Sequence, residues 1–385
     1  MMPFSRSKDP MDDIKRGMGM VGKRRELIEA SSDQPIVYDS GVNRMARSLH
    51  PGIMKASVSE KEAIGPDCMK ITLISEREDG RFPYFRAGQY VTLADEIGTS
   101  YLSRPYSIVS SPKQALEGKL EVIVQRKGIF SKHLIEDVSV GDELDVLEPH
   151  GDFVYDDLRD GKKILCIAGG SGVTPFLSMM KAIREGSEDF NMVLLYGVRT
   201  KKQLLFDPKD YEDEKIRIEV ILSDEEREGY RHGLIDEDLL KEYLDCDSIF
   251  LCGPDAMYTY VEGKLKELDT DHIKIRRERN SIGDRKVESV EKYRLTVHIR
   301  DAVYEIDAFN NETLIAAMER SDLRVLARCR NGVCGFCHSR LIKGEYHLDP
   351  KDDFRRAADK KFNYIHPCCT YPESDMEIDI PVSEV

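Results

Sequence analysis

The chain has 385 residues, of which 41% are apolar and 33% are charged, and its formal net charge at pH 7 is −14. This length suffices for two to four domains, and the acidic balance argues against nucleic acid as a partner. No stretch approaches the roughly eighteen consecutive apolar residues of a membrane span. The N-terminus has no hydrophobic leader, so with nine cysteines we expect a protein of the reducing cytoplasm.

Residues 1–54 are polar and contain many methionines and basic residues, with helical patterns at Arg24–Ala30 and Val42–Leu49. No hydrophobic period connects these two stretches. We expect a partly ordered N-terminal extension that lies on a neighbouring domain. A docking arm for a partner protein is the alternative.

The segment 55–158 has the pattern of an antiparallel β-barrel, because short apolar-alternating runs are separated by Gly, Pro and Asp. One helix is predicted at Ser131–Glu136. The predicted strands are Met69–Leu73, Gln89–Leu93, Tyr106–Ser110, Leu120–Gln125 and Glu143–Leu147.

Arg104-Pro105-Tyr106-Ser107 is predicted at the start of a barrel strand, and alone this tetrapeptide fits an ordinary strand. It resembles the R-x-Y-S flavin motif of the ferredoxin–NADP reductase superfamily. The resemblance implies that these four residues bind flavin, with Arg104 on the phosphate and the Tyr106 ring on the isoalloxazine or ribityl region. It also implies a catalytic role for Ser107, whose hydroxyl would bond flavin N5, the atom that accepts hydride.

Gly128-Ile129-Phe130-Ser131 opens the predicted barrel helix. A glycine turn at a helix N-terminus gathers backbone N–H groups that can bind phosphate. The segment resembles the G-x-x-S pyrophosphate loop of the same superfamily. Because only FAD contains a pyrophosphate, the resemblance implies FAD rather than FMN.

The segment 159–285 alternates strands and helices, which predicts an α/β domain with a parallel sheet. The predicted strands are Lys163–Ala168, Met192–Tyr196, Glu219–Leu222 and Ser248–Leu251. The predicted helices are Ser178–Arg184, Asp236–Tyr243 and Met257–Leu268.

A glycine-rich turn, Gly169-Gly170-Ser171-Gly172-Val173-Thr174-Pro175, follows the first of these strands and precedes a helix. Such a turn lets the backbone approach the phosphates of a dinucleotide, although a plain β-to-α turn has the same composition. It resembles the superfamily's G-G-x-G-x-T-P nicotinamide-nucleotide loop. The residues that the resemblance assigns to the cofactor are Gly170, Gly172, Thr174 and Pro175.

Cys252-Gly253-Pro254 ends the last of these strands, where ligands of parallel sheets bind. It resembles the superfamily's C-G-P segment, which lies beside the nicotinamide ring. The resemblance implies a catalytic position for Cys252 and cofactor contacts for Gly253 and Pro254. A buried apolar filler is the alternative for Cys252.

The turn after the second strand of this domain, Tyr196–Lys202, contains Arg199 and two lysines but no acidic residue. Arg199 could hold the 2′-phosphate of NADPH, or it could be a solvated residue of the turn. Reductases of the resembling group mostly use NADH. We therefore expect NADH, with NADPH as the alternative.

A polar hinge, Arg276–Glu291, leads into the segment 286–385. A hairpin is predicted at Tyr293–Arg300 and Ala302–Ala308, a helix at Thr313–Arg320 and a final strand at Asp375–Ile380. This order of elements resembles the α+β β-grasp fold of ferredoxins.

Four cysteines in this last segment have the spacing C-x4-C-x2-C followed by a fourth after a long return. That spacing is typical of plant-type [2Fe-2S] sites, whereas zinc sites rarely use it. The proposed ligands are Cys329, Cys334, Cys337 and Cys368. The following C-x-x-Y-P stretch resembles the ferredoxin segment and favours Cys368 over its neighbour Cys369, which stays an alternative.

From residue 55 onward the chain resembles oxygenase reductases of the phthalate dioxygenase reductase type, in which flavin, nucleotide and ferredoxin domains follow in that order. The resemblance implies an NAD(P)H-dependent reductase that passes hydride to FAD, and then single electrons through the cluster to a separate protein. An oxygenase component or an anaerobic metalloprotein would be the acceptor. A redox sensor that holds FAD and a cluster without catalysis is the alternative from another functional class.

Overall fold

The computed structural model describes residues 10–31, 41–42, 45, 52–268, 270, 273–279, 281–325 and 327–381. The chain divides into two compact units. The smaller comprises residues 1–43, 283–318 and 335–384, and the larger comprises residues 44–282, 319–334 and 385. The segment Glu319–Cys334 therefore belongs with the larger unit, while the sequence on either side of it belongs with the smaller one.

The first part of the larger unit is an antiparallel β-barrel. Its six strands are ordered β4-β3-β6-β1-β2-β5, and Ile108 pairs with Val122 to join the two outer strands. Leu73, Val91 and Leu120 are fully buried in the barrel interior. The elements are β1 (Ile53–Gly65), β2 (Cys68–Ser75), β3 (Tyr90–Ile97), β4 (Ser100–Ser107), α2 (Pro112–Leu116), β5 (Lys119–Gln125), α3 (Ile129–Glu136) and β6 (Glu143–His150).

The second part of the larger unit is a parallel sheet ordered β10-β9-β8-β7-β11-β12. Its central strands are apolar throughout, because helices cover both faces. Phe153, Phe176 and Phe250 pack together against the sheet, with ring centroids 5.3 to 5.7 Å apart. The elements are β7 (Lys163–Gly169), α4 (Thr174–Arg184), β8 (Asn191–Val198), β9 (Ile216–Leu222), β10 (Arg231–His232), α5 (Glu237–Tyr243), β11 (Ser248–Cys252), α6 (Asp255–Glu267) and β12 (Lys274–Arg277).

The smaller unit contains a mixed sheet ordered β14-β13-β19-β15-β17, in which β13 and β19 are parallel, and a separate pair of β16 with β18. The parallel pair of terminal strands, with a helix between them in sequence, is the β-grasp arrangement predicted for this region. The elements are β13 (Lys292–Ile299), β14 (Ala302–Phe309), α7 (Leu314–Arg320), β15 (Ser339–Lys343), β16 (Tyr346–His347), α8 (Ala357–Lys361), β17 (Tyr364–Ile365), β18 (Tyr371–Pro372) and β19 (Met376–Ile380).

The smaller unit also contains the N-terminal helix α1 (Pro10–Ala30). The ammonium group of Lys361, at the end of α8, donates hydrogen bonds to the carbonyls of Ile28 at 2.7 Å, Ser31 at 3.3 Å and Glu29. Carbonyls at a helix C-terminus have no partner within the helix, so a lysine there stabilises the helix end. The extension is thus fixed at one end to α8.

Several elements differ from the sequence predictions. The helix predicted at Arg24–Ala30 extends back to Pro10, through three glycines that lower its propensity. The long strand β1 was missed, since a register shift between Val58 and Glu60 breaks its alternation. The helix predicted at Val42–Leu49 lies mostly outside the described residues. Within the described part of the chain, no helix combines the length and hydropathy that a membrane span requires.

Candidate functional site

The Arg104–Ser107 motif lies at the C-terminal end of β4, not at the start of a strand as the sequence suggested. The reason is Pro105, which reads as a strand boundary because it lacks an N–H donor. β4 is the terminal strand in the order of the sheet, so its outer edge tolerates a proline. Pro105 pairs with Thr92 of β3, and Ser107 pairs with Tyr90.

The Arg104 guanidinium makes all of its hydrogen bonds to described residues through one nitrogen. Nη1 donates to the backbone oxygen of Ser103 at 2.7 Å and to both carboxylate oxygens of Glu319 at 3.1 and 3.2 Å. Its Nε and Nη2 donors have no such partner, and 32% of the side chain is exposed. Two donors therefore fit the phosphate group that the resemblance assigns to Arg104.

Tyr106 connects the two predicted flavin segments. Its ring stacks on Phe130 with a centroid distance of 6.5 Å and an interplanar angle of 27°. Burial raises the pKa of Tyr106, and the nearby Arg104 charge only partly offsets this, so the hydroxyl stays protonated. Phe130 itself is fully buried in the barrel core.

The G-x-x-S segment forms the N-terminus of α3, with Gly128 as its cap. Ser131 Oγ accepts from the N–H groups of Lys127 and Gly128 and donates to the Gly128 carbonyl, each at 2.9 Å. These three bonds use the one donor and two acceptors of the hydroxyl. Ser131 therefore holds the shape of the turn and has no bond left for a ligand. Ile129 is exposed. The groups that could bind a pyrophosphate are the backbone amides of the first helical turn.

The two predicted nucleotide segments pack directly against each other. A Cβ atom on Gly172 would lie 2.2 Å from the Cys252 carbonyl oxygen and 2.8 Å from Gly253 Cα. Gly170 has a φ of +54°, which favours glycine. Thr174 Oγ1 closes the turn by donating to the Ser171 carbonyl at 2.9 Å. The loop from β7 to α4 and the end of β11 thus form one backbone surface, and Pro254 and Pro175 begin the helices on its two sides.

Cys252 is 7% exposed at the end of β11. Burial, and next the charge of Glu278, raise the pKa of its thiol well above the usual range, so the side chain stays neutral. A neutral thiol suits packing against an uncharged ring, and it excludes a reactive thiolate.

Glu278 is a residue that the sequence analysis missed. It follows β12, and its carbonyl accepts a 2.8 Å hydrogen bond from Tyr258, whose hydroxyl also accepts from the Gly253 N–H at 3.1 Å. Burial, reinforced by Asp152, raises the pKa of the Glu278 carboxyl to about 8. The sequence analysis missed it because it took Arg276–Glu291 as a polar hinge, whereas Lys274–Arg277 form the parallel strand β12 that ends beside it.

Arg199 is exposed just after β8, and the structure adds two acidic residues to its surroundings. Asp224 donates its backbone N–H to the Arg199 carbonyl at 2.9 Å, and Glu225 accepts from the Lys201 N–H at 2.8 Å. That N–H, followed by Arg227, lowers the pKa of Glu225, which is therefore ionised. The turn that contains no acid in sequence has carboxylates beside it in space, because β8 and β9 are adjacent.

The first half of the cysteine loop belongs to the larger unit and contacts the barrel. Thr92 Oγ1 donates to the Arg328 carbonyl and Ser103 Oγ to the Ala327 carbonyl, both at 3.0 Å. Arg328 also pairs with Glu148 at 2.9 Å. Strand β4, which bears the flavin motif, and its neighbour β3 therefore also hold the segment that precedes Cys329.

The loop conformation fits a cluster-binding segment. The buried Cys329 Sγ accepts the N–H groups of Asn331 and Cys334, both at 3.5 Å. Arg330, Gly332 and Gly335 have φ values of +54°, +81° and +68°, which turn the backbone amides inward. Amide donors to cysteine sulfur are a feature of iron–sulfur sites.

The other two proposed ligands, Cys337 and Cys368, lie in the smaller unit and are buried, with 9% and 1% exposure. The neighbouring Cys369 thiol donates to the His366 carbonyl at 3.3 Å. A hydrogen bond with Cys368, followed by burial, raises the pKa of Cys369, so Cys369 stays protonated.

Among the described residues, no group of three or more His, Cys, Asp or Glu side chains is arranged to hold one metal ion. A [2Fe-2S] site has a different requirement, since its four thiolates are shared between two irons.

Tyr90 is a second residue that the sequence analysis missed. It is 8% exposed and faces Ser107 across β3 and β4. Tyr90 and Thr92 project from the same side of β3, and Thr92 bonds the residue before Cys329. Burial, then the nearby Cys329 and Cys334, raise the pKa of Tyr90, which therefore stays neutral.

Comparison with family models matches three consecutive regions of the chain. The oxidoreductase FAD-binding domain matches residues 55–155, the oxidoreductase NAD-binding domain residues 166–263, and the 2Fe-2S iron-sulfur cluster binding domain residues 297–373. The order is the one predicted from the motifs.

Curated relatives align over most of their own length. The chain is 28% identical to the NADH oxidoreductase HCR of Escherichia coli K12, over 81% of this chain and 92% of that protein. It is also 28% identical to the glycine betaine monooxygenase reductase subunit of Chromohalobacter salexigens, over 77% and 87%. Among solved structures, phthalate dioxygenase reductase superposes with a TM-score of 0.61 at 23% identity, covering 86% of this chain and 98% of that one, which shows a shared fold.

Proposed function

Because the chain is an oxidoreductase with FAD-binding, NAD-binding and 2Fe-2S domains in that order, we propose that it takes hydride from NADH and delivers single electrons to a separate acceptor protein. The observation that carries this proposal is the contact of Ala327 and Arg328 with strands β3 and β4. Strand β4 bears Arg104, Tyr106 and Ser107, and its Ser103 bonds the Ala327 carbonyl, so the flavin motif and the start of the cysteine loop share one support.

When bound, FAD would split a hydride into a proton and two electrons, and the cluster would pass the electrons on one at a time. The protein's part is to bind and orient the groups. The Nε and Nη2 donors of Arg104 would hold the phosphate, and the amides of the first turn of α3 the pyrophosphate. Gly172 and Gly253 let the nucleotide approach the backbone, and Cys252 offers the nicotinamide a small neutral surface. Ser107, beside Tyr90, is the residue proposed to bond flavin N5.

We propose Cys329, Cys334, Cys337 and Cys368 as the cluster ligands. The N–H groups of Asn331 and Cys334 would stabilise the negative charge on the Cys329 sulfur. Cys369 is less suited, because its thiol is engaged with the His366 carbonyl.

NADH is the proposed donor rather than NADPH. Asp224, whose backbone pairs with Arg199, and Glu225, whose carboxylate binds the Lys201 N–H, would repel the 2′-phosphate of NADPH at this turn. The same acids could accept a hydrogen bond from the 2′-hydroxyl of NADH.

The proposed acceptor is the oxygenase component of a multicomponent system. Relatives are named as reductase subunits of glycine betaine monooxygenase in Chromohalobacter salexigens and of carnitine monooxygenase in Escherichia coli. Because the relative named NADH oxidoreductase HCR has no oxygenase in its name, an acceptor protein of another kind is the alternative.

An anaerobic NADH titration of the purified protein, followed by optical and paramagnetic resonance spectra, tests the proposal. We expect NADH to bleach the flavin band and then to produce the signal of a reduced [2Fe-2S] cluster. A protein that contains both groups but is not reduced by NADH would instead be a redox sensor. A protein that binds neither group would refute the proposed function.

A further inference from the structure

One buried carboxylate connects the flavin motif to the cysteine loop. Glu319 is 3% exposed, and its Oε1 lies 2.7 Å from Nη1 of Arg330 and 3.1 Å from Nη1 of Arg104. Its Oε2 lies 3.2 Å from Nη2 of Arg330 and 3.2 Å from Nη1 of Arg104. All three residues belong to the larger unit. Charge-assisted bonds of this kind are strong and directional when buried.

On the flavin side, Glu319 fixes the orientation of Arg104. The carboxylate and the Ser103 carbonyl hold Nη1, which leaves Nε and Nη2 directed elsewhere. A guanidinium already held in one orientation loses less conformational entropy when it binds a phosphate. Glu319 is thus placed to pre-organise the proposed phosphate ligand without contacting FAD.

On the cluster side, Glu319 holds Arg330 in an unusual backbone conformation. Arg330 follows Cys329 and has a φ of +54°, in the left-handed region that non-glycine residues seldom adopt. Its side chain is bound at two nitrogens by Glu319, and its carbonyl accepts from the Ile282 N–H at 2.7 Å. This conformation directs the next amide, that of Asn331, at the Cys329 sulfur.

The charges give the direction of the effect. Two guanidinium groups and one carboxylate leave one positive charge, and removing the carboxylate leaves two. A full charge outweighs one amide dipole, so removing the carboxylate should favour the reduced, more negative form of the cluster even when the Asn331 amide turns away from Cys329.

We propose that Glu319 is a positioning residue for both redox centres, which orients Arg104 for the flavin phosphate and Arg330 for the amide donor to Cys329. This inference rests on the proposed function, because it assumes that FAD and the cluster bind where the motifs indicate.

The test is Glu319→Gln in the purified holoprotein, with two measurements that do not depend on turnover. We expect the dissociation constant of FAD to rise about tenfold. We also expect the one-electron reduction constant of the cluster to rise about tenfold, which is a midpoint shift of about +59 mV in a titration monitored by paramagnetic resonance.

Glu121→Gln is the matched control. Glu121 is a buried carboxylate of the same unit, 5% exposed, and it also binds two cations, Lys181 at 2.7 Å and Lys119 at 3.0 Å. It contacts neither Arg104 nor the cysteine loop, so both measured values should stay within twofold of the wild type.

Arg330→Gln separates the role of Glu319 at the cluster from its role at the flavin. It also tests the inference if Glu319→Gln does not fold. It should lower the midpoint potential and leave FAD affinity within twofold, because Glu319 still binds Arg104. The inference would be overturned if Glu319→Gln left both the cluster potential and the FAD affinity unchanged. It would also be overturned if Glu121→Gln shifted both values equally, or if Arg330→Gln left the potential unchanged. A wild-type protein without flavin or cluster would refute the proposed function instead.

Discussion

Thr92 and Arg328 are joined by a 3.0 Å hydrogen bond from the threonine hydroxyl to the arginine carbonyl, although 236 positions separate them in sequence. Arg328 directly precedes the proposed ligand Cys329. Thr92 is fully buried, so its hydroxyl has no water to replace a lost partner. Together with the Ser103–Ala327 bond and the Arg328–Glu148 pair, this bond anchors the beginning of the cysteine loop to the barrel.

Thr92→Val should weaken that anchor, because valine keeps the shape of the side chain and removes the donor. A carbonyl left without its partner in a buried site costs about 1–3 kcal/mol. We expect the free energy of unfolding of the larger unit to fall by that amount and the cluster to be lost faster on dilution. Chemical denaturation and the decay of cluster absorbance measure both.

Thr72→Val is its control, since Thr72 is buried in the same barrel and its Oγ1 has no hydrogen-bond partner among the described residues. This variant should be as stable as the wild type or more stable. Equal losses in the two variants would contradict the role given to the Thr92 bond.

Gly172→Ala should impair nucleotide binding while leaving FAD in place. The added Cβ would overlap the Cys252 carbonyl, so the backbone surface must move. We expect the dissociation constant of NADH to rise at least about tenfold, as for a loss of about 1.4 kcal/mol, measured by stopped-flow reduction of the flavin. Gly263→Ala, in α6 with open space around it, should bind NADH normally. If Gly172→Ala bound NADH with normal affinity, this loop would not be part of the nucleotide site.

The double variant Asp224→Asn with Glu225→Gln should accept NADPH better. Removing two carboxylates beside Arg199 removes repulsion of the 2′-phosphate, which is worth about 1–4 kcal/mol for charges some 4 Å apart near a surface. We expect kcat/KM for NADPH to rise about tenfold or more, and that for NADH to change much less. Glu228→Gln, exposed in the same loop, should leave the preference as it is. If the double variant kept the wild-type preference for NADH over NADPH, the ribose 2′ position would not lie beside these two residues.

Glu278 should make stability depend on pH. Its pKa is raised from about 4.5 to about 8, so the folded protein retains a proton that the unfolded chain releases. Below pH 4.5 both states are protonated and the residue has no effect, whereas between pH 4.5 and 8 stability falls as pH rises. Glu278→Gln should therefore melt near the wild-type temperature at pH 5 and above it at pH 8.5. A difference in melting temperature that does not grow with pH would contradict the shifted pKa.

Cys368→Ser and Cys369→Ser should differ sharply. Loss of a ligand should remove the visible absorbance of the cluster while FAD stays bound, as also expected for Cys334→Ser. Cys369→Ser should keep the cluster, since its thiol only donates to the His366 carbonyl. Absorbance and iron content measure the outcome, and the reverse result would make Cys369 the fourth ligand.

The sequence predicted the motifs better than it predicted their surroundings. The barrel, the parallel sheet and the cysteine spacing could be predicted, because each strand, turn or loop is recognised from residues that are adjacent in sequence. Glu278, Tyr90, Asp224 and Glu319 could not be assigned, because their significance depends on residues brought near by pairing of distant strands. The prediction that the Arg104 motif starts a strand was wrong for a local reason. Proline usually marks a strand boundary, but an edge strand such as β4 accepts it.

The attachment of α1 through Lys361 means that one amino group holds the end of a 21-residue helix. Acetylation of that lysine would remove its charge and two of its three N–H donors. The Glu29 and Ser31 carbonyls would then have to be hydrated by water, whereas the Ile28 carbonyl keeps its bond from the Ser31 hydroxyl at 2.6 Å. A modification of one nitrogen atom, far along the chain from α1, would thus remove the hydrogen bonds that join the end of this helix to α8.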